Sequence, residues 1–252
     1  MGVNNSRIIG LPMYEYRTEV SRGNVAGQKT LYKFGFNDDI DGTEEAIWMA
    51  GGAYNFPSDA AILRVSSAAA EDDDGSTGAR VITIEGLDAS YNEVSVDVTM
   101  DGTNGVNTTQ TFTRVNRAFV KTVGSLGYNA GLITIQHQGT GTYTVATIAE
   151  EMSQTQQAIY TVPNGKTLYI DDINFTSVMS QGNKKVQVRT VITDFGGAAR
   201  TRYINVLQSG QLISKFEYPF KVLEKSDICL KAVTDTTNNE IAGSFQGILI
   251  DN

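Results

Sequence analysis

The sequence predicts an all-β protein, with tandem β-sandwich or jelly-roll-like domains behind an extended N-terminal arm. Strand-like runs recur about every 10–12 residues between turns rich in Gly, Asn and Asp, a spacing typical of sandwiches and jelly rolls. The chain has 25 glycines and only 4 prolines, which suits many tight turns. Two similar strand openings, residues 53–57 and 159–163, begin 106 residues apart, about one small β-domain.

The first 45 residues do not share this pattern, and we predict that they form the arm. Residues 14–20 alternate and predict a short strand, while residues 21–27 predict an open loop. Such a segment cannot bury its own apolar side chains, so we expect it to lie against another surface, on the same chain or a neighbouring subunit. The side chains expected to bind that partner are Ile8, Ile9, Leu11, Met13 and Tyr14.

Residues 46–150 predict the first sandwich domain. Its clearest strand is residues 93–100, where Val94, Val96, Val98 and Met100 face one way and polar residues the other. The other predicted strands are residues 62–65, 80–86, 109–114, 117–123, 132–136 and 142–148.

Residues 151–252 repeat this organisation and predict the second sandwich domain. Its predicted strands are residues 158–162, 166–177, 185–194, 201–208, 218–223, 227–233 and 243–250. Residues 146–157, at the expected domain boundary, are the one stretch whose pattern is compatible with a helical turn.

Charge and composition exclude several classes of protein. The net charge of −8 argues against a nucleic-acid partner, because phosphate contacts need clustered Lys and Arg. No apolar run approaches the roughly 20 residues that cross a bilayer, so no membrane partner is expected. The N-terminus lacks the basic and apolar regions of a secretory signal.

The sequence contains one cysteine and one histidine, and so few of the side chains that commonly act in catalysis. Cys229 lies in a strand pattern and is predicted to be a buried, unreactive thiol. His137 ends a strand and is predicted to be exposed to solvent. One histidine cannot build a His-based zinc site, and no Gly-x-Ser-x-Gly elbow accompanies it. With no cofactor motif and no distinguished pair of acids, the chain is predicted not to be an enzyme and to hold no cofactor or metal.

Two acidic runs contain the carboxylates that a calcium site would need. Residues 37–45 place oxygen side chains as in the front half of an EF-hand loop, but Trp48 stands where a bidentate Glu is required. A solvated loop is the preferred interpretation, and an irregular Ca²⁺ site of Asp39, Asp41 and a carbonyl stays open. Residues 72–75 are interpreted as a solvent-exposed loop tip.

Several turn-and-strand motifs resemble those of a group of tailed-bacteriophage virion proteins. Residues 33–41 contain a Lys-Phe-Gly step and an acidic stretch, and residues 45–57 contain an Ile-Trp pair, a glycine pair and an aromatic-proline segment. Residues 84–93, 112–118 and 160–167 extend the resemblance, which runs from about residue 28 to the C-terminus. The resemblance implies a virion structural protein, assembled in the host cytoplasm, without specifying its functional residues.

Among virion parts, a capsid decoration (cement) protein fits the sequence best. Such a protein is expected to be a homotrimer that binds the major capsid protein on the outer lattice. The alternative is a tail, neck or fibre component, including a receptor-binding knob. Two further classes stay open: a secreted carbohydrate-active enzyme, and a calcium-stabilised adhesin whose stabilisation by calcium would be lost in Asp39→Ala.

Overall fold

The computed structural model describes residues 13–182 and 184–252, and almost all regular structure there is β. The elements in chain order are α1 (Met13–Ser21), β1 (Gln28–Ile40), β2 (Glu45–Ala46), β3 (Ala61–Ser67), β4 (Ala79–Leu87), β5 (Glu93–Thr99), β6 (Val106–Phe112), β7 (Arg114–Val123), β8 (Ile133–His137), β9 (Tyr143–Ile148), β10 (Ile159–Thr161), β11 (Lys166–Val178), β12 (Val186–Thr193), β13 (Ala199–Leu207), β14 (Gly210–Val222), β15 (Asp227–Thr234) and β16 (Asn239–Asp251). The predicted all-β fold is confirmed.

Four antiparallel sheets form two sandwiches. The first sandwich has a sheet of order β6-β3-β8-β9 and a sheet of order β5-β4-β7. The second has a sheet of order β1-β16-β11-β14, called sheet A, and a sheet of order β10-β15-β12-β13, called sheet B, in which β2 also pairs with β15. Each sandwich encloses one apolar core contributed by both of its sheets.

Period-2 patterning places the core residues. In β16, Ile241, Phe245 and Leu249 point into the second core, and the side chains between them are only half-buried. In β5 the predicted alternation is confirmed, because Val98 and the following Met100 are buried while Ser95, Asp97 and Thr99 are exposed.

The chain enters the second sandwich, leaves it and returns. Strands β1 and β2 belong to the second sandwich, β3 to β9 build the first, and β10 to β16 complete the second. This order corrects the predicted arm for residues 28–40, which pair with β16 along their length. A division of the later chain into domains at residue 150 stays a prediction.

The arm prediction failed at β1 because this strand reverses the usual patterning. Its buried positions carry Lys33, Gly35 and Asn37, while the aromatic Phe34 and Phe36 lie on the opposite face and are only half-buried. Gly35 is required there, since a Cβ would lie 2.2 Å from the carbonyl oxygen of Ile47 and 2.3 Å from the Ala158 nitrogen.

Residues 14–20 were predicted to be a strand, and this prediction is wrong, because they lie in helix α1. The helix is held by tertiary contacts: Val20 is buried, Arg17 pairs with Asp171 of β11, and the Tyr16 hydroxyl donates a hydrogen bond to Gln28. Short helices depend on such packing more than on their own propensity. Residues 149–157, in turn, contain turns and bridges but no helix.

A small apolar cluster joins the two sandwiches. It contains Ala46, Trp48, Tyr54, Ile159 and Cys229, with Phe56 packed against it. The rings of Trp48 and Tyr54 meet edge to face at 5.0 Å, and the Tyr54 hydroxyl donates to the Val145 carbonyl at 3.0 Å. The junction therefore combines apolar contacts with directed hydrogen bonds.

Candidate interaction surface

The exposed side of the second sandwich is built from two edge strands. β14 is hydrogen-bonded only to β11, at the edge of sheet A, and β13 only to β12, at the edge of sheet B. They follow each other in the chain through a short turn, so we call residues 199–223 the β13–β14 edge. Edge strands present unpaired N–H and C=O groups, which makes them common sites of protein association.

β14 bulges outward at its middle. Lys215 pairs with Asp172 and Phe220 with Ile170, so residues 216–219 have no partners on β11. Phe216 turns toward the core, and Tyr218 projects to solvent with 81% of its surface exposed. A tyrosine this exposed is a ready contact for a partner, since tyrosine is enriched at the energetic centres of interfaces.

Exposed apolar side chains are concentrated on this edge. Of the 11 large apolar side chains exposed in the described part of the chain, 5 fall within residues 204–223. They are Ile204, Val206, Ile213, Tyr218 and Leu223. Concentration of this kind marks an interaction surface better than single exposed residues do.

The inner side of the edge is also incompletely covered. Its inward-facing side chains pack against the second core but stay partly exposed. They are Tyr203, Leu207, Leu212, Phe216 and Phe220. The rings of Phe216 and Phe220 lie 4.3 Å apart.

The charge of the edge is opposite to that of the protein. Residues 199–223 contain 4 Lys or Arg and 1 Glu, whereas the whole chain has a net charge of −8. Arg200 pairs with Asp194 at 2.8 Å. Arg202, Lys215 and Lys221 form no ion pair with any described residue. The edge therefore offers free cations beside apolar groups.

The outer face of sheet A is covered by α1 at one end and open at the other. Tyr16 and Arg17 lie over Tyr169, Ile248 and their neighbours. Beside them runs an open groove of about 650 Å³ lined by residues of all four strands of sheet A. Burial raises the pKa of Asp171, although the Arg17 guanidinium beside it acts in the opposite direction.

Of the predicted arm residues, Ile8, Ile9 and Leu11 lie outside the described residues. Met13 and Tyr14 are the first two residues of α1. Their predicted role in binding a partner stays a prediction.

The acidic segment 37–45 comprises the end of β1, the short connection after it and the first residue of β2. The Asn37 side chain is buried and donates to Glu45 at 3.1 Å, and Glu45 accepts the Gly52 N–H at 2.6 Å. With Met49 and Ala50, the segment forms a concave pocket of about 490 Å³, whose acidic side chains are Asp38, Asp39, Asp41 and Glu45. Among described residues, no group of three or more His, Cys, Asp or Glu side chains is arranged to hold a metal ion.

The structure corrects the prediction for His137 and confirms that for Cys229. His137 ends β8 but is only 1% exposed: its Nε2 lies 3.2 Å from the Asp59 carbonyl oxygen, and its ring stacks on Tyr143. The contact with Asp59, which lies 78 residues earlier in the chain, was not indicated by the local sequence. Cys229 is buried, and burial raises the pKa of its thiol to about 12.

The described helix α1 is not long and apolar enough to cross a membrane.

Lys33 is an unusual buried cation at the junction of the sandwiches. It lies in a cleft of about 420 Å³ with Glu85, Arg117 and Tyr160, and its Nζ donates to the Asn116 carbonyl. Burial, with repulsion from Arg117, lowers the pKa of Lys33 to about 7.

We predict that Lys33→Met raises the unfolding temperature at pH 7 by about 2–4 °C, the shift that about 1 kcal/mol produces in a protein of this size. In the unfolded chain the pKa of a lysine is about 10.4, so between about pH 7 and pH 10 the unfolded state binds more protons than the folded state and the free energy of unfolding rises with pH. Below about pH 7 the Lys33 side chain is protonated in both states, and the full cost of burying its charge lowers the stability. Thermal unfolding should therefore show the advantage of Lys33→Met shrinking from pH 7 to pH 10. Lys29→Met, at an exposed position on the same strand, is the control, and an equal effect there would contradict the prediction.

Comparison with known proteins identifies no family. No family model matches the sequence, and no curated protein matches it. A crystal structure of the infectious bursal disease virus VP2 subviral particle is similar with a TM-score of 0.24 and 10% identity, over 90% of this chain and 73% of that chain. A structure of the infectious bursal disease virus Gx strain gives a TM-score of 0.23 and 11% identity, over 89% and 72% of the two chains.

Sequence reasoning missed the β13–β14 edge as a surface. Residues 201–208 and 218–223 were predicted as ordinary strands. In the first of them, however, apolar residues lie on both faces of the strand, as Ile204 and Leu207 do. The signal in the sequence was a strand with apolar residues on both faces and with basic residues, in a chain that is otherwise acidic.

Proposed function

We propose that this chain is a virion structural protein, and that it is a capsid decoration (cement) protein that binds the outer capsid lattice and stabilises it. The observation that carries the proposal is the β13–β14 edge, an exposed apolar and basic surface suited to protein association. The resemblance of residues 28–252 to tailed-bacteriophage virion proteins supports its assignment to a virion. The proposed partners are the major capsid protein and further copies of this chain in a homotrimer.

The N-terminal segment has a proposed role in this assembly. Ile8, Ile9 and Leu11, together with Met13 and Tyr14, are proposed to contact a neighbouring subunit. An arm that reaches a neighbour raises the effective concentration of the second contact and strengthens attachment without enlarging the main interface.

The experiment that tests the function is a copy count in purified particles of the virus that encodes this chain. Quantitative mass spectrometry against the major capsid protein should find hundreds of copies for a cement protein. A few tens of copies or fewer would reject cementing in favour of a tail, neck or fibre component. Absence from particles would reject the virion role.

We predict that the triple variant Ile8→Ser, Ile9→Ser, Leu11→Ser lowers the binding of this protein to empty capsids by about tenfold or more, because burial of each of these side chains stabilises a contact by about 1.5–3 kcal/mol. Circular dichroism should show that the triple variant is folded. The control is Asn4→Ser with Asn5→Ser in the same segment. Equal capsid binding by both variants in a sedimentation assay would show that the arm is not a contact.

A further inference from the structure

We propose that the projecting Tyr218 of one copy binds in the acidic pocket of a second copy of this chain, with Lys215 and Lys221 pairing with its carboxylates. This inference rests on the proposed function in one respect, since it names the partner of the β13–β14 edge.

Tyr218 forms a knob between two free cations. It stands at the apex of the β14 bulge, and Lys215 and Lys221 lie three residues to either side of it. Both lysines are exposed and have no ion-pair partner in the part of the chain that the structure describes. Burying a tyrosine removes roughly 150–250 Å² from water, so this knob is a strong anchor once covered.

The acidic pocket at the end of β1 has the complementary charge. Its volume of about 490 Å³ is lined by Met49, Ala50 and two glycines as well as by the acidic segment. Asp38, Asp39 and Asp41 accept at most backbone N–H groups, and no described Lys or Arg pairs with them. Glu44, in contrast, is already paired with Arg189 and Lys231. The free carboxylates thus surround a partly apolar depression.

Charge complementarity selects a second copy as the occupant. Two copies with a net charge of −8 repel one another, and contact between the basic edge of one copy and the acidic pocket of the other would supply a local attraction that opposes this repulsion. The edge and the pocket are different surfaces of the chain, which makes the contact heterologous. Heterologous contacts close into rings when the rotation permits, and a closed ring of three would be the proposed homotrimer.

The test is the molar mass of the purified full-length protein by size-exclusion chromatography with light scattering. The wild type should give a multiple of the 27.3 kDa chain, and added salt should reduce it. Lys215→Glu with Lys221→Glu should give the monomer, as should Asp38→Lys with Asp39→Lys. Tyr218→Ala should weaken association about tenfold or more.

The decisive measurement is the molar mass of the quadruple variant, which combines both charge reversals. Its acidic edge faces a basic pocket, so it should regain the wild-type mass. The control reverses Lys121 and Lys185, two lysines of other surfaces, to glutamate and should leave the mass unchanged. A monomeric wild type, or a quadruple variant that stays monomeric while circular dichroism shows it folded, would overturn the proposal. Because purified protein is measured, this result does not depend on the copy count in virions.

Discussion

Arg114→Ala is expected to lower the free energy of unfolding by about 3–5 kcal/mol, the cost of breaking a buried ion pair from one side. Arg114 opens β7 and Asp227 opens β15, so this pair connects the two sandwiches. The guanidinium donates from Nε and Nη2 to the two carboxylate oxygens at 2.8 and 2.9 Å, and from Nη1 to the Pro57 carbonyl at 2.5 Å. The rings of Phe56 and Tyr91 flank it at 5.3 and 5.5 Å. Alanine would leave Asp227 buried without its countercharge.

Urea unfolding followed by fluorescence and circular dichroism measures this loss, with Arg200→Ala as the control. Arg200 also pairs with an aspartate, but its side chain is 58% exposed, so its loss should cost no more than about 1 kcal/mol. The double variant Arg114→Met, Asp227→Leu should recover part of the stability, because it removes both buried charges. Similar losses in Arg114→Ala and Arg200→Ala would show that the junction pair is not a strong link.

The sequence predicted strands well where apolar residues alternate with polar ones. Residues 80–86, 166–177 and 227–233 all lie within observed strands. Two elements were not predicted from this alternation. In β1 the aromatic residues face away from the core, so periodicity could not indicate its place in the sheet. In α1 the helical state depends on contacts with strands far along the chain, such as that of Arg17 with Asp171.

The candidate surface was still less visible in the sequence. Tyr218 and Lys215 become significant because β14 is an edge strand with a bulge, and both properties depend on which strands pair. The acidic segment was identified from residues alone, but its pocket also needs Met49 and Ala50, which follow β2. Local pattern therefore predicts elements, whereas their order in the sheets decides which side chains meet solvent.

The run of three aspartates after β3 contains a second residue whose replacement should greatly lower the free energy of unfolding. Residues 72–75 were predicted to be a solvated loop tip, and for Asp72 this is wrong, since it is fully buried. Its carboxylate accepts hydrogen bonds from the Ser67 hydroxyl at 2.6 Å and from the N–H groups of Ala79, Ala130 and Gly131 at 2.7, 2.7 and 3.1 Å. A like-charged neighbourhood is tolerated because these donors converge on one carboxylate.

Asp72→Ala is therefore expected to lower the free energy of unfolding by about 3 kcal/mol or more, because each buried donor left without a partner costs about 1–3 kcal/mol. Asp74→Ala, which changes an exposed aspartate in the same run, should stay within about 0.5 kcal/mol of the wild type. Urea unfolding gives the magnitude and amide hydrogen exchange gives the location. Protection of the Ala79, Ala130 and Gly131 amides should fall in Asp72→Ala before protection in the second sandwich does. Equal stability of the two variants, or unchanged exchange at these amides, would show that the carboxylate does not hold the two loops together.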